Sequence, residues 1–214
     1  MKLDCVLFDH DDTLLPTFAL RAQVLQQAAR EVLSIDIDSQ GFLAAAHGRN
    51  LEQMSTDLTA GDSALASQLV RVYRALYYEA NLQGLEPYSG IAALLAQLRE
   101  RGIRVGVVTS KLASGARDEL AQTGLSRYIE HLTGAEDVQQ HKPAAEPLLR
   151  AMKALQVEPA RTLMVGDTAA DILGARAAQS RSAAALWGTH DADALRVLNP
   201  DHLLDSPAQI LNLL

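Results

Sequence analysis

Leu3-Asp4-Cys5-Val6-Leu7-Phe8-Asp9-His10-Asp11-Asp12-Thr13 is the stretch from which the fold is read. The apolar run Leu3–Phe8, followed at once by polar residues, predicts a buried strand that delivers its last residues to one edge of a sheet. Alternation along an extended backbone sends Asp9 and Asp11 to the same side, so they converge on one spot. Like charges at that range are unfavourable unless a cation or a shared proton relieves them. The stretch therefore implies a metal site, an acid/base pair, or both.

Further β-rich runs recur at Ile103–Val108, Tyr128–Thr133, Thr162–Val165, Ser182–Leu186 and His202–Leu204. Helical spacing separates most of them, as in Gly90–Glu100 (Ile91, Leu94, Leu95, Leu98) and Pro147–Leu155 (Leu148, Leu149, Met152, Leu155). Strand–helix alternation predicts an α/β fold with a doubly wound parallel sheet, whose ligands bind beyond the carboxyl ends of the strands. One connection is too long for a simple crossover: nearly the whole stretch from Phe8 to Ile103 lies between the first two strands. Within it, Ala19–Leu33, Gln40–Ala46, Leu51–Leu58 and Ala64–Leu82 have helical periodicity, punctuated by Gly48, Gly61-Asp62 and Gly84. Residues 16–86 are thus expected to form an all-helical cap domain over the active edge, with 1–15 and 87–214 forming the catalytic core. A lid there would exclude water and select substrates.

The net charge of −7 argues against nonspecific binding to nucleic acid or an anionic membrane, which calls for basic patches. An anionic substrate must be attracted by local cations. The single cysteine, Cys5, rules out an intrachain disulfide and a cysteine-built zinc site, and is expected to be a small core residue. No apolar stretch approaches membrane-spanning length, and the first strand begins too early to leave room for a signal peptide. The expected setting is cytoplasmic, as a monomer or homodimer.

Four clusters carry chemistry. They are Asp9, Asp11 and Thr13; Thr109-Ser110-Lys111 after the second strand; Lys142-Pro143 before a helix; and Gly166-Asp167-Thr168 with Asp171 after Thr162–Val165. Their combination and order resemble the haloacid dehalogenase superfamily, most of whose members are Mg²⁺-dependent phosphatases with a Rossmann-like core. The helical insertion sits where that family carries its commonest cap. Leu85-Glu86-Pro87-Tyr88-Ser89-Gly90 and Leu98-Arg99-Glu100-Arg101-Gly102 are similar to the phosphoglycolate-phosphatase-like branch.

The resemblance implies a phosphomonoester hydrolase working through an aspartyl-phosphate. Asp9 would be the nucleophile. Asp11 would be general acid and base, its pKa raised towards neutrality by acidic neighbours. Hard oxygen ligands suit Mg²⁺, held by Asp9, Asp167 and, by family resemblance, the backbone carbonyl of Asp11. Lys142 would neutralise nucleophile and phosphate, while Thr109 and the Ser110 N–H would bind phosphate oxygens. Asp171, one helical turn beyond Asp167, would orient metal waters or Lys142. Apart from the resemblance, Arg49 in the insertion could clamp a carboxylate or second phosphate of the substrate, or be a solvated helical arginine.

Simpler readings stand beside these. Thr109-Ser110 could cap a helix over Ala113–Leu120, and Asp167-Thr168 could cap the helix that follows them. Lys111 is expected on the surface near the site, His10 as a packing or loop residue, and Tyr88 and Trp187 at the edge of the core. The family usually has Gly where this chain has Asp12, a position that favours unusual backbone angles; Asp tolerates left-handed geometry better than most residues. Its carboxylate is expected to point away from the metal.

The acid at Asp11 argues against a dehalogenase, and the lysine-free insertion against a phosphonate-cleaving enzyme. Thr13 favours a hydrolase over a β-phosphoglucomutase-type phosphomutase. An inorganic pyrophosphatase, a receiver-like signalling domain and a silent phosphate-binding protein are the remaining alternatives. Small phosphorylated molecules, phosphoglycolate among them, are the expected substrates.

Overall fold

The computed structural model describes residues 2–46, 49–80, 84–188 and 191–214; the sequence landmarks Gly48 and Leu82 lie outside them. Among the described residues, β1 (Cys5–Phe8), β2 (Arg104–Val108), β3 (His131–Thr133), β4 (Thr162–Gly166), β5 (Arg181–Ala185) and β6 (His202–Leu204) form one sheet in the order β3-β2-β1-β4-β5-β6. Every pairing is parallel, and β1 lies between β2 and β4, with Phe8 beside Val107 on one side and Val165 on the other. The order reverses at β1, so its carboxyl end is the crevice where such sheets bind ligands.

Alternation along β1 builds both faces of the core. Val6 and Phe8 pack with α5 (Ile91–Glu100) through Ile91, Leu94, Leu95 and Leu98. Cys5 and Leu7 pack on the opposite face with Leu148, Met152 and Leu155 of α7 (Glu146–Leu155). Each fully buried leucine of this kind contributes about 1.5–3 kcal/mol. Glycine at 106 permits the close approach, since a Cβ there would lie 2.8 Å from Leu7 and 3.0 Å from Leu155. Cys5 is fully buried, and desolvation pushes its thiol up to about 12.

Between β1 and α5 run α1 (Phe18–Leu33), α2 (Ser39–Ala45), α3 (Leu51–Leu58) and α4 (Ser63–Glu79). The starts of the last three are encoded locally. Asp38 and Asp62 cap α2 and α4 with their carboxylates, and Asn50 with Gln53 forms a reciprocal box on α3. They share a separate apolar cluster of Ala22, Leu25, Leu43, Ala46 and Met54, so this layer has its own interior. The chain continues through α6 (Ala113–Gln122), α8 (Ala169–Ala177) and α9 (Ala192–Val197). No described helix is long and apolar enough to cross a membrane.

Candidate active site

Three strand ends supply the site. The Asp9 amide donates to the Val165 carbonyl at 2.9 Å, which holds the residue in line with the sheet after β1 has ended. One of its carboxylate oxygens, Oδ1, accepts from the His10 amide at 2.7 Å and meets Lys142 Nζ at 3.0 Å. Oδ2 makes no hydrogen bond among the described residues. Lys142 Nζ also donates to the Val108 carbonyl at 3.0 Å and to Asp171 Oδ1 at 2.7 Å. Asp171 is anchored in turn, its Oδ2 accepting from the Thr168 amide and hydroxyl at 3.1 and 2.7 Å. Glycine at 166 makes room for this arrangement: a Cβ there would lie 2.2 Å from Asp171 Cγ. Asp167 faces the same spot from the end of β4, its Oδ1 accepting from the Thr13 hydroxyl at 2.7 Å.

Thus Asp9, Lys142, Asp167 and Asp171, from three of the four sequence clusters, come together, and oxygens of Asp9, Asp167 and Asp171 lie within 4.8 Å of one another. The charge there is under-compensated. Burial, with Asp171 and Asp11 adding to it against the pull of Lys142, pushes Asp9 up to about 6. Burial and the charges of Asp9, Asp171 and Asp12 hold Asp167 well above its ordinary range. Lys142 stays above its ordinary value because Asp171 and Asp9 outweigh the desolvation of its ammonium. Hard oxygen donors with excess negative charge fit a divalent cation. Both oxygens of Asp171 are taken, so the carboxylates left for an ion are Asp9 and Asp167.

Asp11 sits in a different environment from the one its sequence neighbours imply. Burial pushes its carboxyl up, but Lys111, Arg21 and His10 together hold it well below the usual range. The expectation of a raised pKa is therefore corrected: the neighbouring cations dominate over Asp9 and Asp12. Asp11 Oδ1 takes the Thr17 hydroxyl at 2.5 Å and Lys111 Nζ at 2.9 Å. Lys111 is not a surface residue. It is largely buried, bridges Asp11 to Glu119 Oε1 at 2.6 Å, and donates to the Tyr77 hydroxyl of α4 at 3.0 Å. His10 is fully buried beneath this bridge, with Nδ1 3.5 Å from Asp11 and Nε2 3.6 Å from Glu119. Sequence reading missed Glu119; its signal is a carboxylate on the apolar stripe Ala113, Ala116, Leu120 of α6.

Asp12 adopts the left-handed conformation, with φ 58°. Its carboxylate turns to α1, accepting from the Phe18 amide at 3.0 Å and pairing with Arg21. Burial raises its pKa, against the pull of Arg21. Arg21 was also missed; the extra carboxylate at position 12 is itself the signal, since a buried charge requires a partner.

A cavity of about 90 Å³ opens over the site, lined by Asp9, Asp167, Thr109, Ser110, Arg21 and Arg49. Arg49 reaches it while pairing with Asp57 of α3. Thr109 is buried and accepts from the Lys111 amide at 3.1 Å. Neither it nor Ser110 caps α6; Leu112 holds the cap position, and the Ala113 amide is met by Glu136 at 2.9 Å. Thr168 and Asp171 do form a capping box on α8. Trp187 donates to the Thr13 carbonyl at 3.0 Å, tying the turn to the loop after β5.

The fold and the site define an α/β protein with a lysine-braced carboxylate cluster at the switch point of a parallel sheet. The chain belongs to the haloacid dehalogenase-like hydrolases, whose family model matches residues 6–185. It is 29% identical to the pyrophosphatase PpaX of Halalkalibacterium halodurans, over 100% of this chain and 97% of that one. Its fold superposes on a predicted phosphoglycolate phosphatase from Haemophilus somnus with a TM-score of 0.88 at 20% identity, covering 100% of this chain and 98% of the other. A haloacid dehalogenase-like family hydrolase from Streptococcus pneumoniae gives 0.83 at 22% identity, covering 98% and 97%.

Proposed function

We propose that this hydrolase is a Mg²⁺-dependent phosphatase of small phosphomonoesters, acting through an aspartyl-phosphate in a cytoplasmic setting. The observation that carries the reading is the meeting of Asp9, Lys142 and Asp167 at one strand edge, with Asp9 Oδ1 braced and Oδ2 free of hydrogen bonds from described residues. Asp9 Oδ2 attacks phosphorus as the bond to the leaving oxygen breaks, and Asp11 protonates that oxygen. Water then attacks the phosphorus of the aspartyl-phosphate, gives its proton to Asp11, and releases phosphate and Asp9. The incoming dianion competes for Lys111 and Arg21 and so lifts Asp11 back toward the range an acid needs.

Lys142 neutralises the nucleophile and the phosphoryl oxygens, and Asp171 keeps that ammonium charged and aimed. Thr109 and the Ser110 amide serve the remaining phosphate oxygens. Mg²⁺, held by Asp9, Asp167 and the Asp11 carbonyl, would supply the charge neutralisation that Lys142 alone cannot. Residues 16–86 serve as the cap, with Arg49 on its inner side. A second reading, pyrophosphate hydrolysis, is favoured by the name of the Halalkalibacterium relative.

The test is phosphate release from a metabolite panel with Mg²⁺. Steady turnover by the wild type and none by a folded Asp9→Asn variant is expected. Equal turnover by both proteins refutes the nucleophile, and none by either refutes the enzyme.

A further inference from the structure

Resting on that reading, we infer that the leaving group is uncharged and carries a planar ring, so that the preferred substrates are ring-bearing phosphomonoesters rather than pyrophosphate or phosphoglycolate. A second cavity of about 280 Å³ lies between α4 and α6 and meets the first at Asp11, Arg21, Arg49, Met54 and Ser110. Its volume is close to the lower end of small-molecule sites, about 300 Å³. Because it adjoins Asp11, the group that protonates the leaving oxygen, it lies on the leaving-group side. Pyrophosphate, compact and charged throughout, has no use for it.

The charges lining this cavity decide what it accepts. Its four described cations are each matched: Arg21 by Asp12, Arg49 by Asp57, Arg74 by Glu52, and Lys111 by Asp11 and Glu119. Asp118 adds a further carboxylate. An anionic tail would have to displace an existing partner and face surplus negative charge, which an uncharged group avoids.

Apart from Asn50, Ser110 and Ser114, most of the remaining wall is apolar or aromatic. Leu51, Met54 and Leu112 line the cavity with Tyr73, Tyr77 and Tyr78, three of the five tyrosines in the chain. Tyr73 and Tyr77 stack at 5.8 Å with 16° between planes, and Lys111 Nζ lies 4.6 Å from the Tyr77 ring centre. Tyr73 and Tyr77 are half-buried, while Tyr78 is 83% exposed. Aromatic walls favour a flat partner by stacking and edge contacts.

The experiment measures kcat/KM with Mg²⁺ for benzyl phosphate, uridine 5′-monophosphate, phosphoglycolate and pyrophosphate. At least a tenfold preference for the two ring-bearing esters is expected. A higher kcat/KM for pyrophosphate or phosphoglycolate overturns the inference and leaves the hydrolase reading intact. Failure to release phosphate from any of them, or from p-nitrophenyl phosphate, removes both.

Gly115→Leu provides a second arm. Gly115 lies on the α6 wall, where a Cβ meets only the Lys111 chain, at 3.8 and 3.9 Å. With folding verified by circular dichroism, the ratio of kcat/KM for benzyl phosphate to that for methyl phosphate should fall at least tenfold, mainly through KM. An unchanged ratio also overturns the inference.

Discussion

Replacing Arg21 by Met tests the claim that Asp12 depends on the helical layer. Asp12 is almost wholly buried, while the Arg21 side chain is 23% exposed. Removing one partner of a buried pair costs about 3–5 kcal/mol, and the solvent reaching Arg21 places this case at the low end, about 3 kcal/mol. Burial already raises the Asp12 carboxyl, so protonation in the variant limits the loss. For a chain of this length, a 3 kcal/mol loss lowers Tm by about 6–12 °C. Asp12→Gly should be within about 1 kcal/mol of wild type, because glycine suits φ 58° while the Phe18 amide loses its acceptor. The double variant should recover most of the stability, giving a coupling of about 2 kcal/mol in urea unfolding followed by circular dichroism. A coupling below about 0.5 kcal/mol would refute the pairing argument. Activity of Asp12→Gly should equal or exceed wild type; complete loss would assign this carboxylate an essential role.

Other outcomes are equally specific. EDTA should abolish phosphate release and Mg²⁺ restore it; full turnover in chelator contradicts the charge tally. Asp9, at about 6, and Asp167, well above its ordinary range, bind more protons folded than unfolded. The contribution of Asp9 to metal-free stability is therefore greatest below about pH 4 and is lost as pH rises through 6, and that of Asp167 is lost above the ordinary carboxylate range. The same ionisation makes the Mg²⁺-induced rise in Tm grow from pH 5 to 7; a pH-independent rise counts against these ligands. Lys111→Met removes the main pull that lowers Asp11, so the alkaline limb of the kcat/KM profile should move to higher pH. Gly166→Ala drives a Cβ into Asp171 and should cost about 1–3 kcal/mol, with most activity lost as Lys142 is displaced. Unaltered kinetics there would show that Asp171 does not position the lysine.

What could be read from the sequence follows from what strands and termini encode locally. The run before Asp9 and those before Thr109 and Asp167 announce both the parallel sheet and the edge where its polar ends collect. β-branched and apolar runs give the strands, and Asp62 and Asn50 cap their helices with their own side chains. The partners of Arg21 and Glu119 and the burial of Lys111 could not be read from the sequence, because each depends on which helix packs over which strand end. The inversion of the Asp11 shift has the same origin. Its nearest charges in sequence are acids, and its nearest charges in space are Lys111 and Arg21.

That inversion ties the acid to the helical layer. Thr17 occupies the cap position of α1 but spends its hydroxyl on Asp11, and Asp12 accepts from the Phe18 amide. Across the site, Tyr77 of α4 holds the ammonium that holds Asp11. Both ends of the helical layer therefore act on one carboxyl. Movement of α1 or α4 away from the sheet would strip partners from Asp11 and let burial and its acidic neighbours raise it. Closure would lower it again. In the proposed mechanism, contacts from α1 and α4 would thus set the protonation of Asp11 without touching Lys142.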